Sequence, residues 1–334
     1  MDRDAIRQKI MGCLIGGLVG DAMGAPVEGW HYKRIVDEKG YIDDFEGCGT
    51  DDSIIKLILC EALIQNDGHA TADDFAESFL RHQDDYKWFF VPVRNMFHKI
   101  QDGLALPIEA GRDNMASSSS AMAISPIGIV NACDPRSAAA EAYETAGLIH
   151  SGCCSFCRDA ASAIAAAVAE AFRPDASVEG VLRAAVAFLH KKSASVMRGR
   201  IGETLSIARE AGDFETFRKR YYETMELYNT IADSRETVPV ALALFFLSGG
   251  NVRLSVEYGA NFGRDADTVA TMAGAISGAF SGAAGIEQAW LNKILSVDGR
   301  QESLADEMAG LVIKRYEERA FVQSLVCGII KIQA

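Results

Sequence analysis

Two runs of glycine at intervals of four set the first constraint on this chain. Gly16, Gly20 and Gly24 lie in "GCLIGGLVGDAMGAPVE", and Gly274, Gly278 and Gly282 lie in "ATMAGAISGAFSG". Residues four apart share one face of a helix. Each glycine costs roughly 1 kcal/mol against alanine in a helix interior. A chain that carries six of them in this register must recover the cost. A face without side chains does so by letting another backbone approach closely or by opening access to a ligand. The two runs therefore predict tightly packed helices.

The rest of the chain agrees with a helical fold. Apolar positions recur with helical period over 1–24, 50–65, 72–82, 136–149, 155–172, 178–191, 200–211, 214–231, 237–248, 252–260, 267–283 and 302–319, and no convincing period-two strand is present. Pro26 follows the first of these helices, Pro239 sits near the start of another, and Pro126 falls in an apolar stretch that fits a short helix or a loop. The only low-complexity patch is "MASSSSAM", and no linker rich in Gly, Ser or Pro divides the chain. The expectation is one compact all-α domain over residues 1–334, a multi-helix orthogonal bundle.

Composition excludes several functions. The chain has 334 residues and a formal net charge of −13, so its surface repels a phosphate backbone and nucleic-acid binding is not expected. Residues 269–286 carry no charge, but they are mostly Gly, Ala, Ser and Thr and reach only the short limit for a bilayer span. No membrane association is expected. The opening "MDRDAIRQKI" is charged and amphipathic rather than a secretory leader. Reduced cysteines and a cytoplasmic location follow as expectations. Cys154 and Cys157 form a lone C-x-x-C with no second pair at related spacing. They read as the start of the Ala-rich helix rather than as a zinc or redox site.

Chemistry enters with two acidic clusters. In "GTDDSIIKLILCEALI" a glycine turn delivers Thr50, Asp51, Asp52 and Ser53 into an apolar helix, and in "NFGRDADTVATMAG" Asp265, Asp267 and Thr268 do the same. One acidic or hydroxyl residue is enough to cap a helix. Two carboxylates and a hydroxyl at each of two helix starts exceed that need. Hard divalent cations prefer oxygen ligands. Four carboxylates with two hydroxyls would balance two such ions roughly 3.5–4 Å apart.

Together, "GCLIGGLVGDAMGAPVE", "GTDDS" and "GRDADTVATMAGAISGAFSG" resemble the ADP-ribosylglycohydrolase family, which includes the dinitrogenase reductase-activating glycohydrolases. The resemblance spans nearly the whole chain in the same order. It implies an all-α fold and a binuclear Mg²⁺ or Mn²⁺ centre. It also implies hydrolysis of a bond at the anomeric carbon of an ADP-ribosyl group, on a small molecule or an ADP-ribosylated substrate. By similarity, Thr50, Asp51, Asp52, Asp265, Asp267 and Thr268 match the metal motifs. Glu28 matches a glutamate that serves as a ligand or as an acid–base group, and Asp21 a supporting residue. Glu28, or a metal-bound aspartate such as Asp52 or Asp265, would accept the proton of the attacking water.

The family's substrate loop aligns with "SSSSAMAISPIG". Met122, Pro126 and Gly128 fit, and Ser118, Ser119 and Ser120 could offer hydroxyls to phosphate or ribose. Ala123 stands at the position of an arginine, which removes a bidentate phosphate partner. His150 stands where related chains carry a substrate-contacting Thr-His pair.

The alternatives follow from these departures. A binuclear-metal hydrolase of a non-ADP riboside keeps the chemistry and changes the substrate. A terpenoid synthase would want D-D-x-x-[DE], and Asp52 is followed by Ser53, Ile54 and Ile55. A binding protein that has lost catalysis would often lack one of the four aspartates.

Overall fold

The computed structural model of the chain describes residues 3–330. Among them are seventeen α-helices and no strand. In chain order they are α1 (Arg3–Gly24), α2 (Tyr32–Lys39), α3 (Asp51–Gln65), α4 (Ala72–Arg81), α5 (Val91–Gln101) and α6 (Pro107–Ala110). Then follow α7 (Ser125–Val130), α8 (Pro135–Thr145), α9 (Phe156–Ala171), α10 (Val178–Ala187), α11 (Ser195–Ala211) and α12 (Phe214–Thr224). The last five are α13 (Ser234–Leu247), α14 (Val252–Phe262), α15 (Ala266–Ser281), α16 (Gln288–Val297) and α17 (Arg300–Ile330).

The two glycine runs meet each other. α1 and α15 share the most extensive helix seam of the fold. A methyl group built on Gly16 would lie 2.4 Å from the Gly274 carbonyl oxygen, and one on Gly20 2.3 Å from that of Ala270. The two backbones are in contact, which returns the conformational cost of the glycines as close packing. Both helices are buried nearly all round, α1 from Ile10 to Gly24 and α15 from Ala266 to Ala279. Ala-rich α9 lies against α15 in the same core. Two helical segments, Arg3–Val27 and Gly152–Ala171, are long and apolar enough to cross a membrane, but 89% and 72% of their apolar windows lie inside the fold. The structure uses them as core helices.

The structure differs from the sequence reading where tertiary contacts override local pattern. Helices α2, α5 and α16 had no expectation, and Pro126 begins a real short helix, α7. α13 begins at Ser234, with Pro239 in its interior. Proline cannot donate to the Arg235 carbonyl, and Arg200 Nε donates to that oxygen instead at 3.3 Å. α12 ends at Thr224 rather than continuing to 231 because the chain turns extended at Met225. The Tyr228 amide then donates to the Glu236 carboxylate at 3.3 Å. That exit brings Ile231 and Ala232 to the wall of the cavity described next.

Candidate functional site

Besides Ile231 and Ala232, five segments converge on a cavity of about 320 Å³. The first is the end of α1. Gly24 carries no side chain because a Cβ there would sit 2.3 Å from the Asp267 amide nitrogen. A single 3₁₀ turn over Ala25–Val27 follows, and Glu28 comes next. Its neighbours are stitched to the loop before α15. The Gly29 amide donates to the Arg264 carbonyl at 2.7 Å, and the Arg264 amide donates to the Trp30 carbonyl at 2.7 Å. These bonds set Glu28 beside Asp265 and Asp267: one oxygen from each of the three lies within 4.8 Å of the others.

The second segment is the start of α3, where capping and cavity residues are separated. Asp21, fully buried in α1, accepts from the Thr50 hydroxyl at 2.9 Å and from the Ser53 hydroxyl at 2.6 Å. It also accepts from both backbone amides, at 2.9 and 3.0 Å. The Thr50 oxygen accepts from the Asp52 amide. A residue from another helix thus caps α3 together with Thr50, and Asp51 and Asp52 are released toward the cavity. Thr50 was expected on the metal side; its hydroxyl donates to Asp21, and it is not among the cavity-lining residues.

The third segment, Gly263 to Thr268, opens α15. Arg264 holds a left-handed backbone, φ 57, which costs a non-glycine residue free energy. Its guanidinium is clamped by the buried Glu236 carboxylate and by the Tyr228 carbonyl. Asp265 occupies the helix-capping position of α15 but makes no side-chain capping bond. Its carboxylate accepts from the Ser118 hydroxyl at 3.1 Å. Asp267 accepts from the Thr268 amide at 2.9 Å, and Thr268 lines the cavity.

The fourth segment is the serine loop. The Ser118 amide donates to the Ala232 carbonyl at 2.6 Å, and Ser118, Ser119 and Met122 line the cavity. Ser120 and His150 do not. His150 is fully buried, with Nδ1 bonded to Ser120 Oγ at 2.6 Å and Nε2 to Ser117 Oγ at 3.0 Å. Burial pushes its pKa down to about 3, so the ring is neutral at ordinary pH. The sequence reading set these two residues against substrate. They stand behind the cavity lining and brace the loop, because both ring nitrogens are committed to serines. Ala123 is buried as well. The fifth segment was missed altogether: Trp88, Phe89, Phe90, Val91 and Arg94, from the start of α5 and the turn before it. Its link to the acidic cluster is a bond from the Phe90 amide to Asp51 Oδ2 at 3.1 Å. The only sequence signal was the aromatic cluster in "DDYKWFFVPVRNM".

The electrostatics are those of crowded acids. Burial, followed by Asp267, Asp21, Asp51 and Asp265, raises the Asp52 pKa well above the carboxylate range. Burial and then Asp265 do the same to Asp267. Burial and Glu28 raise Asp265 to about 7, and burial raises Asp51 to about 6. Glu28 sits at the open rim by surface exposure, yet partial burial of its carboxyl group and the Asp21 charge raise it too. Asp52 Oδ2 is buried without a hydrogen-bond partner. An orphaned carboxylate oxygen beside four more carboxylates is the donor set a hard divalent cation fits. Glu28, Asp51, Asp52, Asp265 and Asp267 could hold it.

Comparison with known proteins gives the family and the fold. The chain matches the ADP-ribosylglycohydrolase family over residues 2–319. It is 27% identical over 308 residues to the uncharacterized protein YegU of Escherichia coli (strain K12), covering 84% of this chain and 90% of that one. It is 28% identical over 306 residues to an uncharacterized protein of Archaeoglobus fulgidus, covering 86% and 91%. Among solved structures it resembles one described as an "ADP-ribosylglycohydrolase-related protein complex", with TM-score 0.69 and 23% identity over 92% of this chain and 99% of the other. That likeness shows a shared fold. Family match, fold and converging carboxylates together make the chain a member of the ADP-ribosylglycohydrolase family.

Proposed function

We propose that this protein is a divalent-metal-dependent hydrolase that cleaves the N- or O-glycosidic bond at the anomeric carbon of an ADP-ribosyl group. The observation that carries the reading is the convergence of five carboxylates with the Ser118 and Ser119 hydroxyls on one cavity. In this reading Asp51, Asp52, Asp265 and Asp267 hold Mg²⁺ or Mn²⁺, two ions being the number their charge suits, with Glu28 as a further ligand or as base. The bound cations would supply electrophilic stabilisation of ribose hydroxyls and of the attacking water.

The chain's own residues do the rest. Asp21 holds the start of α3 rigid, and Arg264 with Glu236 holds the start of α15. The carboxylates are therefore fixed before substrate arrives, which is what electrostatic preorganisation requires. Glu28, at the rim and with its pKa raised by partial burial and the Asp21 charge, is suited to accept a proton from water attacking the anomeric carbon. Ser119 and the backbone of the serine loop offer donors to ribose or phosphate oxygens. His150 keeps that loop in place.

A second reading keeps the chemistry and takes a riboside without the ADP group. Ala123 favours it, and so does a cavity at the small end for an organic ligand. Calorimetric titration of ADP-ribose into Mg²⁺-loaded and metal-stripped protein tests the proposal, with Asp267→Ala as control. Metal-dependent binding of micromolar strength, lost in the variant and accompanied by release of ADP-ribose from an ADP-ribosyl conjugate, is the expected result. Turnover that persists in Asp267→Ala would sink it, and binding of metal without ADP-ribose would move the assignment to the simpler riboside.

A further inference from the structure

We infer that Arg94 forms a phosphoryl-binding subsite at the mouth of the cavity, so that the substrate is a phosphorylated riboside rather than a neutral one. The inference rests on the reading just given and deepens it.

Arg94 is the only basic residue among those lining the cavity, whose wall carries five carboxylates. An arginine in such a setting would ordinarily be drawn into an ion pair. Among the described residues Arg94 forms none: one terminal nitrogen donates to the Lys87 carbonyl at 2.6 Å, and the guanidinium lies 5.6 Å from the centroid of the Tyr86 ring. Its Nε is buried and has no hydrogen-bond partner. Asp51, in the same cavity wall, has one oxygen bonded to the Phe90 amide instead. A buried unpaired donor is costly, and the fold leaves it unpaired next to a surplus of acceptors.

What fits this arrangement is an anion that enters with the substrate. The planar guanidinium fork matches two phosphate oxygens. Contact with the Lys87 carbonyl and the Tyr86 ring fixes its plane in advance, so little side-chain freedom is lost on binding. The exposed Trp88 side chain (61%) stands in the same wall. The serine loop cannot supply this charge, since residues 117–123 include no basic side chain. Arg94 reaches the cavity from a different element, α5.

The test compares two ligands that share a ribose and a base and differ in phosphate. ADP-ribose and adenosine are titrated into Mg²⁺-loaded wild type, Arg94→Ala and Arg94→Lys, and Mg²⁺ binding is measured on each. The expected result is that Arg94→Ala weakens ADP-ribose about 10- to 100-fold, as loss of charge-assisted hydrogen bonds does. Adenosine binding changes little, which also shows that the variant is folded, and Arg94→Lys recovers part of the loss. Equal weakening of both ligands, no weakening of either, or an effect confined to Mg²⁺ affinity would overturn the subsite. In those cases Asp267-dependent binding of ADP-ribose leaves the hydrolase reading standing. If wild type binds neither ligand, both fall.

Discussion

Removing divalent ions and raising the pH from about 5 to about 8 should destabilise this protein, and the carboxylate cluster sets the size of the loss. Asp51 has an ordinary pKa of 3.8 and titrates at about 6 in the fold. Asp265 titrates at about 7. Between the unfolded and folded values the native state holds the proton and the unfolded chain does not, so the unfolded state binds fewer protons and stability falls as pH rises. The contribution is fully present below about pH 4 and is gone above about pH 7. Of the roughly 3 kcal/mol that Asp51 contributes over its whole span, about 1.4 kcal/mol is lost between pH 5 and pH 8, at 1.36 kcal/mol per pKa unit. A chain of 334 residues has an unfolding entropy of about 0.7 kcal/mol/K, so that loss lowers Tm by about 2 °C, and more as Asp265 ionises.

Differential scanning calorimetry in a chelator across this range, repeated with Mg²⁺, measures it. Mg²⁺ should restore Tm at the alkaline end, where the carboxylates are ionised, and have little effect at the acid end. Asp52→Asn is the control. It removes one ionisable group from the cluster without changing its shape, so metal-free protein should gain more Tm at about pH 8 than at about pH 5, while activity is lost. A Tm that is flat or rising with pH in chelator, or an Asp52→Asn variant no more stable than wild type at alkaline pH, would refute the reasoning.

Three further outcomes follow from the same geometry. Gly16→Ala drives a methyl group to within 2.4 Å of the Gly274 carbonyl and should cost about 1–3 kcal/mol or more, read by urea unfolding; a neutral substitution would mean the α1–α15 seam is looser than described. The neutral His150 ring should show no titration by NMR between about pH 5 and pH 8, since burial holds its pKa near 3; an imidazole titrating near its ordinary value would overturn its place behind the serine loop. Truncation after Arg319 removes Phe321, Val322, Leu325 and Ile329, all exposed on α17. Tm should stay within about 1 °C, because such side chains contribute little burial, and a large drop would mean that they are covered in solution.

The sequence determined the helical fold and the partition of its chemistry into two acidic clusters. Helical periodicity is local, and so is the surplus of carboxylates over what helix capping at Asp51–Asp52 or Asp265–Asp267 requires. It also marked the glycine runs as faces for close approach. What only the tertiary structure decided was which groups meet. That Gly16 and Gly20 pack on the backbone of α15 is a pairing between residues some 250 apart in the chain, and no local pattern encodes it. That Asp21 takes over the capping of α3 frees Asp51 and Asp52 and removes Thr50 from the cavity. Two serines spend both nitrogens of His150 and set it behind the wall. Arg94 enters the cavity from a stretch with no helical expectation at all. In each case a side chain's role depends on which distant polar group satisfies it first, and that is settled by packing.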